Sequence, residues 1–293
     1  MFKLALGTIS EGGRALSLLG GALAIYAAFF AAPGTAQAQP GKLTELLRLD
    51  GSSASYDSDT VRFSMKQAFR QQAFNDPQLG NNDKFLSAAD AAIDKVLAPA
   101  TLKATHLEAM RGKLTAGEID TLIDFFKAPL GKRLTAMELS AQAVDQAVID
   151  AQTLELMEAL KSDPERADTF RRLEKSMHVT DRGVDAALYG VQIISIGLAA
   201  GHEKTLSPEE VDRTITYVRP RLAAQVQEFE RSLIAYTYKE ASIAELNEYI
   251  EFTSTPLGQK YVNASLKAIS AAISKAVSQF GDALAKELDK NSV

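Results

Sequence analysis

Thr115-Ala-Gly-Glu118-Ile-Asp-Thr-Leu-Ile123-Asp-Phe125-Phe-Lys-Ala-Pro129-Leu-Gly131-Lys-Arg133 decides the fold class, because nearly the same stretch returns further along the chain. The second version reads Ser242-Ile-Ala-Glu245-Leu-Asn-Glu-Tyr-Ile250-Glu-Phe252-Thr-Ser-Thr-Pro256-Leu-Gly258-Gln-Lys260. Each residue lies 127 positions before its counterpart, without a gap. The piece has a physical reading. Thr115 with Glu118, and Ser242 with Glu245, are Ser/Thr-x-x-Glu capping boxes, in which the hydroxyl and the carboxylate each satisfy an orphan amide at a helix start. Ile119, Leu122, Ile123 and Phe126 then recur at helical spacing, as do Leu246, Tyr249 and Ile250. Pro129 and Pro256 break that helix but suit the first turn of another, with Thr255 as its N-cap. Gly131 and Gly258 remove a side chain where two helix backbones approach closely. The unit is a short capped helix, a tight bend and a long returning helix.

Working outward, Leu46-Leu-Arg-Leu-Asp50 weakly echoes Phe170-Arg-Arg-Leu-Glu174, and Asp163-Pro164-Glu165 is the best linker. The chain therefore divides into a first helical repeat unit at 39–162 and a second at 163–293. Further helices are expected at Thr60–Phe74, Asp83–Leu97, Pro99–Lys113, Leu130–Lys161, Glu165–Lys175, Asp181–Ala200, Pro208–Tyr238 (bent or broken at Pro220), Ile243–Ser254 and Leu257–Lys286. The fold class is all-α, a multi-helix bundle of two pseudo-repeated units. Val184–Ala200 carries only Asp185 as a charge and reads as a buried central helix, with a partner or lipid contact as the alternative.

The first 38 residues stand apart. Lys3 and Arg14 precede an uncharged run from Ala15 to Ala32, then Pro33-Gly34 and Ala36-Gln37-Ala38. A basic start, an apolar stretch and an A-x-A end make a secretory signal peptide, cleaved after Ala38. Export to the periplasm of a Gram-negative bacterium is the expectation, with an uncleaved membrane anchor as the alternative because the apolar run is long. The net charge of −5 and the lack of a basic block argue against nucleic acid, whose affinity rests on Lys and Arg. Cysteine is absent, which excludes thiol catalysis and disulfides.

The Glu-Leu-x-x-x-Ile-x-Phe-x-x-Ser/Thr-Pro-x-Gly-Gln/Lys-Lys/Arg pattern from Glu245 to Lys260 resembles the motif of a bacterial exported family, domain-of-unknown-function family 2059. Glu118 to Arg133 looks like a second, tandem copy, with Ala128 where the family has Ser or Thr. Leu46–Gly51 resembles the family's opening helix. The resemblance implies an all-helical fold and export, and no reaction.

No constellation of residues reaches a catalytic, metal or cofactor site. His106, His178 and His202 are not spaced as a helical ligand pair, and His202 falls in a loop and reads as exposed. There is no Gly-x-Ser-x-Gly elbow and no phosphate-binding glycine loop. Asp120 with Asp124, and Glu248 with Glu251, read as solvated outer faces before they read as cation or acid/base pairs. Lys132-Arg133 and Lys260 are candidates to bind an anion or to pair with Asp124 and Glu251. Phe125, Phe252, Tyr249 and Tyr261 read as core wedges, with a small-molecule pocket as the alternative. Thr115, Glu118, Phe125, Pro129, Gly131, Ser242, Glu245, Phe252, Pro256 and Gly258 are therefore structural motif residues. The expected function is a non-enzymatic periplasmic interaction or scaffold protein with an envelope protein partner. The alternative is a carrier of an apolar small ligand or lipid, and last comes a hydrolase in which the histidines converge with acids.

Overall fold

The computed structural model describes residues 40–144 and 146–290, so the leader read at 1–38 lies outside the described residues. Among the described residues there are helices and no strand. In chain order the helices are α1 (Pro40–Leu49), α2 (Ser52–Asp57), α3 (Thr60–Phe74), α4 (Asp83–Val96), α5 (Pro99–Met110), α6 (Ala116–Lys127) and α7 (Pro129–Gln142). Then follow α8 (Gln146–Lys161), α9 (Pro164–Ser176), α10 (Val179–Gly201), α11 (Pro208–Thr237), α12 (Ile243–Ser254) and α13 (Pro256–Lys290). The fold is an all-α multi-helix bundle.

The starts of α6, α11 and α12 are set by local chemistry. Thr115, Ser207 and Ser242 each accept a backbone N–H with the side chain, and Glu118, Glu210 and Glu245 reach back to the cap amide. Pro129, Pro208 and Pro256 occupy first-turn positions, where their missing N–H has no intrahelical partner to lose. At the bends, a Cβ on Gly131 would lie 2.3 Å from the Phe125 carbonyl oxygen, and one on Gly258 2.6 Å from that of Phe252. Only glycine lets these two chains pass so closely.

Two expectations change. Leu130–Lys161 is not one helix but α7 and α8, separated by a turn at Ala143 in which the Val144 amide reaches back to the Ala141 carbonyl. No proline or glycine marks the break. Packing imposes it: α7 seats against α6 and α11, whereas α8 lies against α11 and α9. Conversely, α11 is continuous through Pro220. Pro220 and Thr216, four residues before it, are exposed, so water can take the carbonyl that proline leaves without a donor.

The core has two principal clusters, and each draws on both halves of the sequence. One joins Phe69 of α3, Phe85, Ala89 and Ile93 of α4 and Leu102 of α5 to Ile193 of α10 and to Ile269, Ile273 and Phe280 of α13. The other joins Leu46 of α1, Ile119, Leu122 and Phe126 of α6 and Leu134 of α7 to Leu173 of α9, Leu246 and Tyr249 of α12 and Tyr261 of α13. Ala264, Ala268, Ala272 and Ala276 run down one face of α13 and are buried, giving α4 and α5 room to lie close along it. Between Arg182 and Gly201 of α10 no residue is exposed, so this helix is the buried element its composition suggested. It is also long and apolar enough to cross a membrane by length and composition alone.

Candidate functional site

The two motif phenylalanines meet at the side of the second cluster, where they are half-buried. The ring of Phe125 on α6 stacks on that of Phe252 on α12, with centroids 3.5 Å apart and planes within 4°. Tyr249 extends the stack at 6.2 Å from Phe125, and Phe126 closes it edge-on at 5.2 Å. The aromatic residues are thus spent on one another, as wedges between helices, and they line none of the described clefts.

Charges flank the stack in a crossed arrangement. Lys260 Nζ on α13 lies 3.1 Å from Glu118 Oε1 on α6, and Arg133 Nε on α7 lies 2.9 Å from Glu245 Oε1 on α12. Arg133 also donates to the Glu240 carbonyl oxygen at 2.9 Å. This corrects the expected pairing, in which these bases met Asp124 and Glu251. Both of those acids face solvent, whereas the capping glutamates point across the junction. Each capping glutamate has two tasks. Glu118 Oε2 accepts the Thr115 amide at 2.7 Å, and Glu245 Oε2 accepts that of Ser242 at 2.8 Å. Burial pushes the Glu118 carboxyl up, but the Thr115 amide and hydroxyl and the Lys260 ammonium outweigh it and hold the group below the usual range. The Ser242 amide and hydroxyl, helped by Arg133, hold Glu245 low as well.

Beneath the stack runs a seam of buried polar groups that pattern reading missed. Asp50, at the end of α1, is fully buried and accepts the Ser52 amide at 2.8 Å, the Ser52 hydroxyl at 2.5 Å and the Tyr261 hydroxyl. Glu138 of α7 is buried and accepts the hydroxyls of Tyr238 and Tyr249, the latter at 3.3 Å. Burial raises both acids, Asp50 to about 7 and Glu138 to about 8; the Asp50 charge adds to the rise at Glu138, and Arg182 opposes it. Burial likewise drives Glu230 of α11 well above the usual range against the pull of Arg182. A buried carboxyl without a cation at hydrogen-bond distance neutralises rather than remain charged. The available signal was a lone charge in an apolar stripe. Glu138 falls in the Leu134, Ala141 row of α7, and Glu230 follows Val226 and Phe229 on α11.

The histidines serve three separate places. Buried His106 shares a hydrogen bond with the Tyr56 hydroxyl at 2.7 Å, and burial lowers its ring to about 4. His178 caps α10 in the left-handed region, φ 50°, with Nε2 3.1 Å from Gln259 Oε1. His202 is half-buried rather than exposed, because it pairs with Asp76 at 2.7 Å and ties the end of α10 to the α3–α4 turn. Asp120 pairs with Lys42 at 2.5 Å, and Glu248 faces solvent. Among the described residues, no group of three or more His, Asp or Glu side chains is gathered as metal ligands would be.

No curated protein and no solved structure matches the chain. The model of a bacterial family, described as an uncharacterized protein conserved in bacteria (DUF2059), matches residues 100–159. That span runs from α5 through the capping box of α6 and the Pro129–Gly131 bend into α8, so it covers the Glu118–Arg133 copy of the motif, while the Glu245–Lys260 copy lies outside it.

Proposed function

We propose that the chain is an exported, non-enzymatic interaction or scaffold protein of the bacterial envelope, made by fusing two copies of one helical unit, residues 39–162 and 163–293, behind a cleaved leader at 1–38. The crossed geometry supports the duplication. Phe125 stacks on the residue 127 positions later, and each capping glutamate pairs with the base that belongs to the other copy. Two copies related by a local two-fold would make these isologous contacts.

The observation that carries the interaction role is on α3. Phe63 and Phe74 are 62% and 70% exposed, lie eleven residues apart and share one face with Gln67 and Arg70. The two rings stand about 16 Å apart along the helix axis. Exposed phenylalanines on one face are what a partner would cover. The carrier reading is weaker, because the rings that could line a pocket are filled by one another. Of the two described clefts, the groove between α10 and α13 holds only about 180 Å³, below the usual range for a small-molecule pocket, and the larger, about 550 Å³ along α5 beside Lys275, is open to solvent and lined by no aromatic side chain.

The test is photo-crosslinking in the native envelope from position 67, between the two rings. One protein should be captured reproducibly, and the pair Phe63→Ser, Phe74→Ser should abolish the adduct while the fold persists. An adduct unchanged by those substitutions would remove α3 as the surface. Enrichment of a lipid with no protein would move the assignment to the carrier.

A further inference from the structure

The buried acids of the seam sit where the two halves of the chain meet, and every tyrosine bond they accept crosses that boundary. Asp50, at the end of α1, takes the Tyr261 hydroxyl of α13. Glu138 of α7 takes the hydroxyls of Tyr238, after α11, and Tyr249 of α12. The first-half acids thus hold the second half by accepting hydrogen bonds. The donors are hydroxyls. The Thr135 hydroxyl, one turn before Glu138 on α7, is buried without a hydrogen-bond partner.

We propose that this seam is a proton-held latch: with Asp50 and Glu138 protonated, the end of α1 and α7 are closed on α12 and the start of α13, and in alkaline medium, where both acids must ionise inside a shell of hydroxyls, this junction opens locally and uncovers the Phe125, Phe252 and Tyr249 faces, while the cluster that joins α4 to α13 stays closed.

Among the described residues the charged and titratable neighbours are these. Asp50 faces Tyr261 of α13, Tyr249 of α12, Tyr56 of α2 and Glu138 of α7, with Ser52 as its local donor. Glu138 faces Tyr238, Tyr249 and the charge of Asp50, while Arg182 of α10 pulls on it from further off. Arg182 also pulls on Glu230 of α11, so its charge is shared between two buried acids. Ionising Asp50 and Glu138 together would place two negative charges beside three tyrosine hydroxyls, with the pull of Arg182 on Glu138 also exerted on Glu230. Opening to water relieves that; closing requires both protons back. The open form releases its protons near pH 4 and the closed form near neutrality. The opening constant therefore climbs steeply with pH between these limits.

Hydrogen exchange of the whole protein, followed by mass spectrometry from pH 6 to pH 9 and corrected for intrinsic chemistry, tests this. Exchange in 134–141 and 238–261 should accelerate by more than about tenfold, as expected for two linked acids, while 83–96 on α4 stays slow. Asp50→Asn with Glu138→Gln should flatten the response. Wild-type exchange that stays flat with pH would overturn the latch, as would an acceleration that persists in the double variant. If the double variant does not fold, Tyr249→Phe decides. It removes one donor that holds ionised Glu138 in the closed form more strongly than the protonated acid, so it should enlarge the alkaline acceleration beyond any change it makes at pH 6. An unaltered alkaline limb in that variant would also overturn the proposal.

Discussion

Ala128→Thr should stabilise the protein, and the structure supplies its own control. The two bends have the same backbone: Ala128 has φ −66° and ψ 158°, Thr255 φ −65° and ψ 158°. At the second bend the Thr255 hydroxyl accepts the Gly258 amide at 2.8 Å and donates to the Phe252 carbonyl at 2.9 Å. At the first, Ala128 caps nothing with its side chain, and the start of α7 lacks that bond. A threonine there would find the Gly131 amide and the Phe125 carbonyl in the matching places. Its branched side chain suits the extended ψ, so little rotamer strain opposes the gain. A Thr for Ala exchange at an N-cap is worth about 1 kcal/mol, within a range of roughly 0.5–2. For a chain of this size that corresponds to a rise in Tm of about 2–4 °C. Thr255→Ala should lose at least as much, because it leaves the amide of buried Gly258 without its acceptor. Urea denaturation followed by circular dichroism at the helix band is the assay, since the chain has no tryptophan. The urea midpoint should move while the slope stays constant. A neutral or negative Ala128→Thr alongside a damaging Thr255→Ala would refute the equivalence of the two bends. Silence at both positions would refute the capping argument itself.

Gly131→Ala and Gly258→Ala should each destabilise by about 1–3 kcal/mol despite alanine's better helix propensity, because the new methyl meets backbone rather than a movable side chain; thermal melts of the two variants check this. Stability should peak in mildly acidic medium. Asp50 and Glu138 titrate in the folded state above their unfolded values, so their contribution is complete below about pH 4 and falls away as pH rises toward 7–8. Glu118, Glu210 and Glu245 are held low, so theirs is lost as the medium becomes more acidic than their folded values. Urea midpoints measured from pH 3 to pH 9 should therefore trace a dome, and a monotonic rise to pH 9 would contradict it. Lys260→Gln should cost about 0.5–1 kcal/mol, as a partly exposed ion pair does, and should raise the Glu118 carboxyl in an NMR titration.

Most of the helical outline was legible because it is written in local chemistry. The capping boxes at Thr115 and Ser242 and the bends at Pro129 and Pro256 fix helix ends without help from the rest of the chain. What escaped reading depends on distant residues. The turn at Ala143 carries no proline or glycine and exists because α7 packs toward α6 and α8 toward α9, with α11 shared between them. Pro220 looked like a break, yet exposure lets the helix pass through it. The partner of Lys260 could not be read from the acids on its own segment, since Glu118 comes from the other end of the sequence. The buried seam was hidden for the same reason. A single Glu in an apolar row has no meaning until the tyrosines that cover it are brought in from α12 and the end of α11.

The long final helix has a consequence for biosynthesis. α13 covers the apolar faces of α4 and α5, yet it is the last helix of the described chain to leave the ribosome. Until it arrives, Ala89, Ile93 and Leu102 have lost one wall of their core, and more than 150 residues must be held in waiting. Contacts that span so much sequence close slowly and leave apolar surface uncovered meanwhile. A chain cut short near residue 255 would keep its capping boxes and most of its helical propensity but would expose the groove that α13 fills. Premature termination in this protein should therefore yield sticky, chaperone-bound fragments rather than a smaller folded domain.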